Sequence, residues 1–154
     1  MQLRKQGNPL TDEILKEFED RYQLKMPEDY VELMKKNNGG YVEDNMEFNF
    51  VEAGSTELTE SILRRFFSFS NENDGMSRIR SRVIDAGEAP PSLLLIADDV
   101  FGNPIFIGIS DSNYGKVYFG NHELEDPSTG YLVMSQIADT FTEFIEKLHL
   151  AIYE

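Results

Sequence analysis

Over the first quarter of the chain apolar residues fall at helical spacing. Ile14, Leu15, Phe18 and Tyr22 share one face, leaving Lys16, Glu17, Glu19 and Asp20 for water. Thr11 supplies an N-cap, and Asp12 and Glu13 stand in the first turn where the helix dipole favours negative charge. A helix is therefore expected from Thr11 to about Tyr22. Met26-Pro27 interrupts the pattern and reopens it, because proline suits a helix's first turn. Glu28 and Asp29 follow, and Tyr30, Val31, Leu33 and Met34 supply an apolar face. Lys35 and Lys36 fall in the last turn. Asn38-Gly39-Gly40 then offers the left-handed conformations of a C-terminal cap, a more economical reading than a close backbone approach at the glycines.

Beyond Gly40 the period shortens to two. Met46, Phe48 and Phe50 alternate with Glu47 and Asn49, the rhythm of a half-buried strand. TELTESILRRFFSF fits either period, and Leu58, Ile62, Leu63 and Phe66 favour a short helix. SNENDGMSR, polar and containing Asp-Gly, is expected to be a loop. Three runs, LLLIA, IFIGIS and KVYFG, are separated by turn residues and predict an antiparallel meander, to which YLVMS adds a strand. Ser135 then caps a closing helix with Ile137, Ala138, Phe141, Phe144, Ile145 and Leu148 on one face. No repeat or linker divides the chain, so residues 1–154 read as one domain.

Composition narrows the chemistry. Cysteine is absent, which excludes disulfides, thiolate nucleophiles and zinc-thiolate sites. The N-terminus lacks a secretory leader pattern and no apolar run is long enough to cross a bilayer, so a cytoplasmic protein is expected. Acidic residues number 28 against 14 basic ones, a net charge of −14. From Asp85 onward, 12 acids face only Lys116 and Lys147. Such a surface repels nucleic acid and anionic membranes and attracts a basic protein; it also serves plain solubility. Arg64, Arg65, Arg78, Arg80 and Arg82 are five of seven arginines. In SRIRSRV they alternate, so on a strand they would share a face and neutralise neighbouring acids.

Asp98-Asp99 is the motif most suggestive of chemistry, since paired carboxylates can hold a metal or share a proton. On a strand, however, adjacent side chains point to opposite faces, and Gly102-Asn103-Pro104 supplies the turn that explains the polarity. Calcium-loop spacing fails from Asp111, because Lys116 stands where glycine is required and His122 at the twelfth position. His122-Glu123 lacks the second histidine of a zincin, and His149 suits the dipole at the end of the closing helix. Neither a phosphate-binding glycine loop nor a serine-hydrolase elbow occurs. Tyr30, Phe48, Phe50, Phe101 and Phe106 could line a pocket, but at these spacings they read as core. No catalytic residue, metal site or cofactor is therefore expected. A small enzyme built on Asp98 or Asp99 stays a minor alternative, with no reaction class to name.

FEDRYQLKMPEDYVELMKKNNGG, LLLIADDVFGNPIFIGIS, KVYFGNHE and IADTFTEFIEKL together resemble the SUKH superfamily, with Phe119-Gly120 where a tryptophan is often found. The resemblance implies an α+β fold, an antiparallel β-sheet packed against two N-terminal helices and a C-terminal helix. It also implies a non-catalytic binding protein, either an immunity protein that neutralises a toxin or a regulatory scaffold of the cell-wall assembly type. Charge makes a basic, nuclease-like toxin domain the expected partner, with no nucleic acid or membrane involved. The residues expected to face it are Glu43, Asp44, Asp98, Asp99, Glu123, Glu125 and Asp126, acids at turns beside the sheet where folding does not need the charge.

Overall fold

The computed structural model describes residues 1–70 and 75–152. It is an α+β fold in which nine antiparallel strands and four helices occur among the described residues. Helix α1 (Asp12–Tyr22) starts where the Thr11 side chain accepts a hydrogen bond from the Ile14 amide. Phe18 is its buried residue, whereas Ile14, expected on the same face, stands in solvent. Pro27 forms the N-cap of α2 (Glu28–Lys36), which buries Tyr30 and Met34.

The strands are β1 (Leu3–Arg4), β2 (Gly40–Val42), β3 (Met46–Val51), β4 (Leu58–Phe66), β5 (Leu93–Asp99), β6 (Pro104–Gly108), β7 (Val117–Glu125), β8 (Leu132–Ala138) and β9 (His149–Leu150). They follow the order β1-β2-β4-β5-β6-β7-β8, with β3 pairing β4 and β9. Strand β5 is buried on both faces, which is why its first five residues, LLLIA, read as an unbroken apolar run. An aromatic layer fills the core beneath α2 and α4 (Phe141–Lys147): Phe48 lies 5.5 Å from Phe144, Phe50 4.6 Å from Phe119 and Tyr30 5.2 Å from Phe141. Asp29 joins the two helices, its carboxylate accepting from the Thr142 amide and hydroxyl.

The structure corrects four expectations. TELTESILRRFFSF forms strand β4, because a bulge at Arg64 changes the spacing of buried residues from two to three and imitates a helix. SRIRSRV lies in helix α3 (Met76–Ala86), where Met76, Ile79, Arg80 and Val83 are buried at helical spacing, so its arginines share no strand face. Residues 71–74 of the expected loop before α3 lie outside the described residues. The closing helix begins at Thr140, not Ser135, since Ile137 and Ala138 belong to β8. Finally, Asn37 caps α2 in an extended conformation, and Asn38-Gly39 is a buried tie. Asn38 bonds the Asn8 and Phe69 carbonyls and the Phe69 amide. A Cβ on Gly39 would sit 2.8 Å from the Phe66 oxygen, so the close approach is real.

Candidate protein-binding site at the acidic hairpin

Strands β5 and β6 are joined by the four residues Val100, Phe101, Gly102 and Asn103. The Asp99 amide donates to the Asn103 carbonyl at 3.0 Å, and Gly102 adopts the left-handed conformation at φ 86° that such a loop requires. Asp99 is wholly buried and fastens this hairpin. One carboxylate oxygen accepts from the Phe101 amide at 2.9 Å and the Asn103 amide at 2.7 Å. The other accepts from the Ser61 hydroxyl at 2.6 Å and the Asn103 side chain at 2.9 Å. These four hydrogen bonds go to the loop and to β4, so Asp99 is a buried, hydrogen-bonded carboxylate that lines the groove beside Phe101 without being exposed.

The hairpin holds Phe101 outward, 65% exposed, instead of in the core where its spacing had placed it. Below it runs a groove of about 270 Å³, floored by Phe50 and Phe119 and walled by Glu52, Glu60, Asn103, Asn121, His122 and Glu123. The Asn103 side-chain Oδ1 accepts from the His122 amide at 3.0 Å and so locks the hairpin to β7. The Asn121 side chain reaches Glu52 at 3.4 Å. An exposed aromatic ring beside three carboxylates gives apolar area for contact and negative potential for a cation, the complement of a lysine- or arginine-rich surface.

Asp98 points away from this groove. It is 8% exposed and accepts from Arg65 Nε at 3.1 Å, with Arg64 3.7 Å away. Burial pushes its carboxyl above the usual carboxylate value, more than the two guanidinium groups lower it. The adjacent aspartates thus serve opposite faces of the sheet and share no site. Of the other expected partner-facing acids, Glu123 lines the groove and Glu125 is exposed further along β7. Asp126 shapes the next turn, its carboxylate held below the usual range by the Ser128 hydroxyl and amide. Glu43 and Asp44 are exposed before β3, at the far end of that strand from the groove.

Sequence reasoning missed Glu52, Glu60, Asn103, Asn121 and His122, which are distant in the chain and converge only through the β4-β5-β6-β7 order. One signal for Phe101 was available, a bulky aromatic immediately before the glycine of a turn. His149 is also displaced from its expected place: it pairs β9 with β3, its ring 3.1 Å from Glu47. Among the described residues no cluster of histidine, aspartate and glutamate could hold a metal ion, and no helix is long and apolar enough to cross a membrane.

Comparison with known proteins supplies the family. The chain is similar to the SPbeta prophage-derived uncharacterized protein YokK of Bacillus subtilis strain 168, 27% identical over 151 residues covering 90% of this chain and 74% of that protein. Residues 9–147, from the turn before α1 to the end of α4, match the model of one family of protein-interaction modules. The Pro27 break, the Asn38-Gly39 tie, the hairpin after β5 and the terminal helix all fall inside that match, and the chain belongs to the SMI1/KNR4 family (SUKH-1).

Proposed function

We propose that this chain is an immunity protein that binds a cognate toxin with a basic, nuclease-type active surface and neutralises it by covering that surface. It acts in the cytoplasm, by binding and without catalysis. The observation that carries this reading is the groove under Phe101, where Glu52, Glu60 and Glu123 surround an aromatic ring held out by a buried hydrogen-bond network. Membership of a family that includes immunity proteins supports it, as does a net charge of −14, which draws a basic partner in by electrostatic steering. Of the other acids expected to face the partner, Glu125 extends the same negative wall; Glu43 and Asp44 contribute at longer range.

The test starts from the protein's native cells. Partners that co-purify at low salt and leave at high salt are identified, and the basic one is expressed alone in a heterologous host. Growth arrest that co-expression of this chain relieves, and that the Phe101→Ala, Glu123→Lys double variant fails to relieve, supports the proposal. A harmless partner, or several unrelated ones, transfers the reading to a regulatory scaffold.

A further inference from the structure

The arginines that the sequence groups together are separated by the fold, and two of them meet a third elsewhere. Pairing across the sheet sets Arg4 opposite Tyr41, Tyr41 opposite Arg65, and Arg65 opposite Asp98. Three guanidinium groups surround the Tyr41 ring, those of Arg4, Arg64 and Arg65 at 5.3, 5.6 and 5.7 Å from its centroid. Arg65 also donates to the Tyr41 hydroxyl at 3.2 Å and lies 4.6 Å from the Phe67 ring. Among the described residues Asp98 is the one carboxylate ion-paired with the cluster, through Arg65 and Arg64, and one of its oxygens is buried without a partner there. Arg4 and its neighbour Lys5 make no ion pair among the described residues. Lys5 also has φ 54°, a backbone conformation that side-chain-bearing residues rarely adopt.

This is an assembly of like charges in a chain with twice as many acids as bases. Cation–π contacts offset part of the mutual repulsion, and an incoming anion would relieve the rest. Arg4 and Arg64 are exposed, so the patch is open. Screening confines each charge's influence to about 8–10 Å at ordinary salt, so the patch is felt locally as positive despite the net charge of −14. A long polyanion would overrun it onto acidic surface; a short run of carboxylates would not. The acids Glu43 and Asp44 follow β2 in the chain, two and three positions beyond Tyr41, and both are exposed.

We propose that Arg4, Tyr41, Arg64 and Arg65 form a second docking surface, on the face of the sheet turned away from the acidic groove, that takes a short aspartate- or glutamate-rich segment of the protein partner. The inference rests on the protein-binding reading above. A partner that offers a basic surface to the groove and an acidic segment to this patch is held in one orientation, and like-charge contact excludes the reversed one.

The test uses the full chain and peptides alone, so it succeeds or fails separately from any toxin. A fluorescent hexaglutamate peptide is titrated by anisotropy, with a Gly-Ser peptide, inorganic phosphate and single-stranded oligothymidine as comparisons. Saturable binding of hexaglutamate, weakened at least about fivefold by Arg4→Gln with Arg64→Gln and unaffected by Glu60→Gln with Glu123→Gln, is expected. Tyr41→Leu, checked for an unchanged melting temperature, should weaken it too. Equal binding of the Gly-Ser peptide, or an arginine variant that binds like wild type, overturns the proposal. So does displacement of the peptide by phosphate alone, which marks a small-oxyanion site. Tighter binding of longer oligothymidine, lost in the same variant, replaces it with a nucleic-acid site.

Discussion

Replacing Asp99 distinguishes an acid that builds a turn from an acid that performs chemistry. Its carboxylate accepts four hydrogen bonds, from the Ser61 hydroxyl, the Phe101 and Asn103 amides and the Asn103 side chain. In Asp99→Ala the Ser61 hydroxyl is left buried and unpaired, and that alone costs about 1–3 kcal/mol. The two amides lose a charged acceptor near solvent, where water replaces it in part, adding roughly 1–2 kcal/mol. The sum is about 2–5 kcal/mol, a large share of the roughly 5–15 kcal/mol that holds a domain together. Asp99→Asn keeps the oxygen that receives the two amides but turns a second donor towards the Asn103 side chain, so its cost is smaller, about 1–2 kcal/mol. Urea unfolding followed by circular dichroism measures both, and a constant slope against denaturant keeps the comparison valid. Wild-type stability in Asp99→Ala, or an Asp99→Asn variant more stable than the parent, would refute the turn-fastening role.

Three further outcomes follow from buried or paired groups. Gly39→Ala should cost about 2–4 kcal/mol, since φ 74° disfavours a side chain and the new Cβ would meet the β4 backbone; an unchanged melting temperature would contradict that packing. Arg80 is buried, its pKa lowered by that burial, with Nε and one terminal nitrogen unpartnered among the described residues; Arg80→Met should therefore be neutral or stabilising by about 1–2 kcal/mol, and a clear loss of stability would show that the guanidinium is needed. The Lys147 carbonyl and then Glu47 raise the His149 pKa above the ordinary imidazole value, so pairing of β9 with β3 is supported fully below about pH 6.5 and loses that support as pH rises through the folded value. In NMR titrations Glu47→Gln should lower the His149 midpoint, and an unmoved midpoint would dismiss the pair.

The elements easiest to read in the sequence were those whose signal is local. Thr11, Pro27 and the alternation of Met46, Phe48 and Phe50 mark their boundaries because caps, proline geometry and strand pleat act within a few residues. The bulge at Arg64 defeated the period of β4, and the arginine–serine alternation of SRIRSRV hid a helix whose buried positions are three and four apart. At the site, adjacency of Asp98 and Asp99 was visible, and strand geometry already separated their faces. That Asp99 would be consumed by Ser61 was not visible, because the two are 38 positions apart in the chain. Nor was the convergence of Glu52, Glu60 and Glu123, which depends on strand order.

The most direct test of the central claim, that a basic partner is steered into the acidic groove, is its association rate with this chain as salt is raised. For a steered encounter, the rate constant should fall at least about tenfold between roughly 0.05 and 0.5 M salt while dissociation changes little. Glu60→Gln with Glu123→Gln should flatten that dependence, and Phe101→Ala should speed dissociation instead. An association rate indifferent to salt, or a salt slope the glutamate variant leaves intact, would contradict the account.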